Sequence, residues 1–221
     1  MVNRIKKILV LLLCCPIYVL GQHTYKEPEV FDIRSEIFDV YFSVFNESYF
    51  PSFSPIGWSK DGCFAFREEF QGEMFGYDVV SVYSMITDEN IENFYIAEFE
   101  DNADYTWGQK KYTINQLLHR YKIHDGKFGE FNTYPYISDF KIALEKKDSF
   151  FHLLLESKTP DTVLTIVEKE FDGEDIFFIG YFLSPFEDRV AILLIEAGSA
   201  EGEVRGWNLH IYGKKIPESN Y

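Results

Sequence analysis

The sequence predicts a mainly β fold of the α+β class: antiparallel meanders built from blade-like hairpins with one central helix, and not a closed propeller. Three observations carry this. Apolar and aromatic residues recur with period two in short runs, the runs are separated by turn chemistry such as Asp61-Gly62 and Thr159-Pro160-Asp161, and a single segment changes to a helical period. Strands that follow one another every 10 to 14 residues or so suit hairpins, whereas parallel βαβ units need helices in between.

The first element is a leader. Arg4, Lys6 and Lys7 precede an apolar run from Ile8 to Leu20, followed by Gly21 and a polar segment from Gln22, which is the pattern of a signal peptide over residues 1–21. The run is shorter than the roughly 20 apolar residues a membrane-spanning helix needs, and Pro16 interrupts it. Cleavage is expected between Gly21 and Gln22, giving an exported protein, periplasmic or extracellular, with no transmembrane helix after signal removal. Lipid anchoring through Cys15 is the alternative, although Leu13 and Cys14 stand where lipoprotein processing wants small residues.

The rest, 22–221, reads as one β-rich domain. A first meander is expected over about 37–100. It begins with a run from Ile37 to Phe45, continues as a strand, a tight turn at Asp61-Gly62 and a second strand through Cys63-Phe64-Ala65-Phe66, and ends with runs at Tyr77–Ile86 and Glu92–Glu100. Gly62 admits positive φ without steric cost, and an Asp before it bonds the turn backbone. A helix is expected over about 107–123, on the spacing of Ile114, Leu117, Leu118 and Tyr121. A second meander of about six strands follows over about 136–213, in runs at Tyr136–Leu144, Phe150–Glu156, Thr162–Phe171, Ile176–Leu183, Val190–Glu196 and Trp207–Tyr212.

Composition narrows the function classes. The chain has 221 residues, 46% of them hydrophobic and 18% aromatic, which disordered chains lack. It carries 21 basic against 36 acidic residues, a net charge of −15 that becomes −18 once the leader's three cations are gone. Nucleic acid is excluded as a partner because phosphate backbones need clustered Lys and Arg, and the basic residues here are scattered or paired, as at Lys110-Lys111 and Lys146-Lys147. An anionic bilayer surface is repelled for the same reason. Cys63 is the single thiol of the mature chain, so the fold rests on its core and not on disulfides. Its place in a strand-like run marks it as a small buried hydrophobe more than as a nucleophile.

The run Ile56-Gly57-Trp58-Ser59-Lys60-Asp61-Gly62-Cys63-Phe64-Ala65-Phe66 resembles the inner hairpin of TolB and WD40 propeller blades, where an aromatic-Ser-x-Asp-Gly turn leads into an apolar-Ala-apolar strand. A looser echo runs from Ile179-Gly180-Tyr181 through Ser184 and Asp188 to Ala191. The whole chain is similar to a group of uncharacterised bacterial exported proteins with this hairpin near the N-terminus, a Trp-and-helix segment in the middle and a Ser-Pro hairpin near the end. That resemblance implies blade-like local geometry and brings no activity with it. Ala65 and Ala191 lie 126 residues apart, against about 40 to 45 per propeller blade.

Candidate site residues are few. Glu100, Asp101 and Asp104, and Asp172, Glu174 and Asp175, form two acidic clusters that calcium would favour, although neither has EF-hand spacing. No cofactor is expected otherwise. Trp58, Trp107 and Trp207 are candidates for an aromatic binding face, with core packing as the plainer role. Five histidines occur, and His119 and His124, five apart on a helix, would point about 140° away from each other. His152 and His210 each sit in a strand, where a carboxylate across the sheet is within reach. No Gly-x-Ser-x-Gly elbow, phosphate loop, His-Glu-x-x-His helix or dinucleotide turn is present. Two functions follow as expectations: a non-catalytic exported protein that binds an envelope protein or a small ligand through a sheet edge or aromatic face, or a hydrolase-like enzyme with a His and at least two carboxylates gathered between the meanders.

Overall fold

A computed structural model describes residues 25, 28, 51–71, 76–98, 107–157, 163–170, 175–197 and 207–217. The expected leader, Cys15, the run at 37–45 and the acidic residues Glu100, Asp101, Asp104, Asp172 and Glu174 lie outside the described residues.

The elements are β1 (Ser52–Trp58), β2 (Cys63–Gln71), β3 (Gly76–Ser84), β4 (Glu89–Glu98), α1 (Trp107–Arg120), β5 (His124–Asp125), β6 (Phe131–Asn132), β7 (Tyr136–Ile137), β8 (Phe140–Lys147), β9 (Phe150–Ser157), β10 (Val163–Glu170), β11 (Asp175–Leu183), β12 (Arg189–Ala197) and β13 (Trp207–Lys215). They form three antiparallel sheets. An N-terminal sheet has the order β4-β3-β2-β1-β5, an outer sheet β10-β9-β8-β7 and a middle sheet β13-β12-β11-β6.

The mainly β class, the hairpins and, among the described residues, the one helix stand as expected. The second meander does not stay in one sheet, because its strands divide between the outer and the middle sheet. The reason is visible in β12, Arg-Val-Ala-Ile-Leu-Leu-Ile-Glu-Ala. Ala191, Leu193 and Ile195 pack against Phe53, Trp58, Phe64 and Phe66 of the N-terminal sheet. Their alternates Val190, Ile192 and Leu194 pack against Ile142, Phe151, Leu153 and Leu155 of the outer sheet. A strand apolar on both faces needs a layer on each side, so the middle sheet is sandwiched, and each buried Leu or Ile contributes about 1.5–3 kcal/mol.

The helix packs on the N-terminal sheet. Ile114, Leu117 and Leu118 of α1 cover the far face of the N-terminal sheet, on Ile56, Ala65, Val80, Val82 and Ile96, and Tyr25 is buried with them, its backbone N–H donating to Asn115 Oδ1 at 2.7 Å. The helix ends in a Schellman turn. Lys122 has φ of 54°, its N–H bonds the His119 carbonyl at 3.1 Å, and the Ile123 N–H bonds the Leu118 carbonyl at 2.8 Å. Ile123 packs in the same apolar cluster as Leu118, which completes the motif.

One device occurs twice. The register shifts between Pro55 and Gly57 in β1 and between Phe178 and Gly180 in β11, leaving Ile56 and Ile179 as the extra residues. Each bulge reverses the side on which the next residues point, so Phe53 and Trp58, five apart, face the middle sheet together. Each following glycine is where a short strand crosses: β5 pairs at Gly57 and Trp58, and β6 at Tyr181 and Phe182. A Cβ on Gly57 would fall on the His124 carbonyl oxygen, and one on Gly180 would lie 2.7 Å from the Asn132 oxygen and against the Phe131 ring.

Candidate functional site

The two hairpin turns singled out in the sequence meet at one end of the sandwich. In the first, the Ser59 N–H bonds the Cys63 carbonyl at 2.8 Å, and Ser59 Oγ accepts from the Asp61 N–H at 3.2 Å and the Cys63 N–H at 3.0 Å. Gly62 has φ of 78°, as its turn requires. In the second, the Ser184 N–H bonds the Arg189 carbonyl at 2.8 Å and Ser184 Oγ accepts from the Phe186 N–H at 3.3 Å. The Met85 N–H donates to the Gly62 carbonyl and the Ile216 N–H to the Asp188 carbonyl, so each turn is bound by the strand next in its sheet.

A polar clasp locks these turns together. Arg189, only 9% exposed, donates through Nη1 to the Met85 carbonyl at 2.7 Å and through Nε to Glu187 Oε1 at 2.9 Å. From the same sheet, the Gly213 N–H of β13 donates to Asp88 Oδ1 in the β3–β4 turn. Burial pushes the Asp88 carboxyl above its ordinary range, while the Gly213 N–H, Lys214 and Arg189 pull it back. The charges are satisfied within the protein, as buried charges require.

Around the clasp lies an open rim. The His124 ring is 4.9 Å from the half-buried Phe186 ring, Lys60 Nζ stands 6.0 Å from the same ring, and Ile86 is 60% exposed beside Gly62. Lys122 pairs with Asp61 at 2.7 Å with both side chains largely in water, an arrangement of little energetic worth. Ser59 Oγ is engaged as an acceptor from the turn backbone, and burial raises the Cys63 thiol above its ordinary value. Neither is set up as an activated nucleophile, which needs an adjacent base or a lowered pKa.

The histidines are dispersed among the described residues. His119 is exposed on α1 and His124 sits at the rim. His152 faces Glu168 across β9 and β10 at 3.6 Å, and His210 Nε2 lies 2.6 Å from Glu196 Oε2 across β12 and β13. Each of these two pairs joins a histidine to a carboxylate, on separate sheets, and among the described residues the two do not come together. Burial pushes His210 below its ordinary value, against the pull of Glu196. A further carboxylate, the half-buried Glu68, takes the Tyr77 hydroxyl as donor, and desolvation raises its pKa.

Trp58 is not on a binding face. It is fully buried, tilted against Phe64 at 4.9 Å, with Nε1 donating to the Phe128 carbonyl at 3.3 Å. Trp107 opens α1, Trp207 opens β13 and Asp175 opens β11, but their side chains lie outside what the structure describes. Among the described residues no group of three His, Cys, Asp or Glu could hold a metal, and no helix is long and apolar enough to cross a membrane. Sequence reasoning missed Arg189, Asp88, Phe186 and Gly213, whose roles arise from contacts between sheets; the one available signal was the position of Phe186 and Arg189 in the second motif. No family model, curated protein or solved structure matches the chain.

Proposed function

We propose that this chain is an acidic, exported, non-catalytic binding protein of the cell envelope, and that the paired-turn end is its contact face. The observation that supports this reading most is that both blade-like hairpin turns are brought side by side and fixed by the Arg189–Glu187–Met85 and Asp88–Gly213 contacts, leaving Lys60, Ile86, His124 and part of Phe186 at the surface. A preorganised frame with exposed apolar and cationic groups lowers the ordering cost of binding. The chain belongs, in this reading, with the bacterial exported proteins its hairpins resemble.

The test has two parts. Fractionation of the native host and an intact mass should give a soluble chain beginning at Gln22, and a chain held on the membrane through Cys15 would replace simple export with anchoring. A photoreactive residue at position 86 should then give a discrete adduct whose purified partner binds the wild type, with binding lost in a Lys60→Glu, Ile86→Asp variant of unchanged melting temperature. An equal adduct from position 163, an exposed valine on the outer sheet, or binding unaffected by the double variant would overturn the assignment of this face.

A further inference from the structure

The end of the N-terminal sheet away from the paired turns carries an acid among aromatic rings, on the face that Phe64 and Phe66 turn toward the middle sheet. Glu68 of β2, Val79 of β3 and Tyr95 of β4 stand side by side in one row, and Phe70, Tyr77 and Glu98 hold the three positions of the next row out. The Phe70 and Tyr77 rings stack at 5.6 Å, and the Tyr77 hydroxyl donates to Glu68 Oε1. Tyr95 is 50% exposed, while Val79, the small side chain between it and Glu68, is buried. No cation among the described residues acts on this group. The half-buried Glu68 carboxyl is perturbed first by desolvation and then by Tyr77, and the Tyr77 hydroxyl, pushed up by burial, feels Glu68 and Tyr95. Arg67, the preceding residue, is on the opposite face, where it holds Asp78 at 2.7 Å. The middle-sheet residues that enter this core, Ile179, Ile195, Leu209 and Ile211 among them, are apolar.

We propose that this cluster binds a small organic ammonium ion, whose N–H groups bond the Glu68 carboxylate and whose positive charge lies against the Tyr95 ring. A carboxylate that takes one donor keeps acceptor capacity for others, and a charged donor makes the stronger bond. The Tyr77 hydroxyl fixes the carboxylate in place and leaves its charge uncompensated, so a cation supplies what the protein around Glu68 does not. Aromatic faces attract a cation through the ring quadrupole. Those faces offer no lone pairs, whereas a calcium ion takes six to eight oxygens, and the chemistry of one carboxylate among rings therefore selects an ammonium over a metal. The net charge of −15 concentrates cations near the chain as a whole, and the Glu68–Tyr95 row determines where one is held.

The experiment is a titration of the purified protein at pH 8 with n-butylammonium chloride, at constant ionic strength, followed by NMR on isotope-labelled tyrosine rings. The Tyr77 and Tyr95 signals should shift together and saturate, with half-saturation at about 1–10 mM, and n-butanol should not reproduce the shifts. Glu68→Gln, close to isosteric, should weaken binding at least about tenfold. Tyr95→Leu, at a half-exposed position, should weaken it about two- to fivefold, with Tyr77 as the reporter. Glu69→Gln removes the same charge from the opposite face and should leave the affinity unchanged. No saturation by about 50 mM, equal shifts with n-butanol, undiminished binding in Glu68→Gln or Tyr95→Leu, or an equal loss in Glu69→Gln would each overturn the proposal.

Discussion

Gly213→Ala is expected to be far more damaging than the addition of one methyl group suggests. The β3–β4 turn of the N-terminal sheet rests directly on β13: a Cβ at position 213 would lie 2.6 Å from Met85 Cβ and closer still to the Met85 carbonyl oxygen and Cα. Carbon atoms in contact sit about 3.5–4.0 Å apart, so one sheet must retreat by about 1 Å, and backbone cannot yield as a rotamer would. Overpacking of this kind costs about 1–3 kcal/mol. The retreat also stretches the Gly213 N–H bond to Asp88 and the Arg189 bond to the Met85 carbonyl, where losing one charge-assisted bond costs about 1.5–3 kcal/mol. The total is about 3–5 kcal/mol, and with a urea slope of about 2 kcal/mol/M the midpoint should drop by about 1.5–2.5 M. Gly126→Ala is the internal reference, because nothing lies within 4 Å of its Cβ position and only its φ of 73° is at issue, worth about 1–2 kcal/mol. Urea unfolding followed by circular dichroism compares the two. A Gly213→Ala loss below about 1 kcal/mol, or smaller than that of Gly126→Ala, refutes the claim that the clasp depends on close backbone approach.

Tyr25→Ala should cost about 3–5 kcal/mol in urea unfolding, since a fully enclosed aromatic ring is removed from the helix-covered face. Glu68→Gln should stabilise the protein at pH 8, with the gain shrinking as pH falls. The Glu68 pKa is raised above 4.5, so its stability contribution is complete below 4.5 and lost as pH rises through the folded value; melting curves from pH 4 to 8 on both proteins check this, and a destabilised Gln variant at pH 8 contradicts it. Cys63, half-buried and with a raised pKa, should react with an aromatic disulfide reagent at pH 7 at least about tenfold slower in the native than in the urea-unfolded protein.

What could be read from the sequence was what neighbouring residues decide. The helical spacing of Ile114, Leu117 and Leu118 placed α1 because it puts those side chains on one face, and Asp61-Gly62 marked a turn whose φ of 78° only glycine takes cheaply. The two-residue strands β5 and β6 were invisible, since two residues carry no period. The division of the second meander was invisible for another reason: strand spacing records where hairpins turn, and not which sheet they pack on. One local signal existed. Val190 to Ile195 is unbroken in apolar residues where a strand facing solvent on one side would alternate, and that marks a strand covered on both faces. Nothing comparable announces Gly213, whose need for a bare backbone comes from Met85, 128 residues earlier in the chain.

The repeated Ile-Gly-aromatic motif shows how a local pattern can be right about geometry and silent about its cause. In both hairpins the isoleucine is the bulged residue and is buried, Ile56 fully and Ile179 at 4% exposure. The following aromatic is re-aimed into a core, Trp58 toward the middle sheet and Tyr181 toward the outer one, where its hydroxyl donates to the Tyr136 carbonyl at 2.7 Å. The glycine between them is needed because the connection from α1 to the outer sheet passes first over β1 and then over β11. That one connection thus ties the edges of both sheets, with Phe128 and Phe131 packed on Phe182 beneath it. The paired turns at the proposed contact face are held in register by this edge tie together with the Arg189–Met85 and Asp88–Gly213 contacts, and a partner that docks there meets a surface whose ordering was completed on folding.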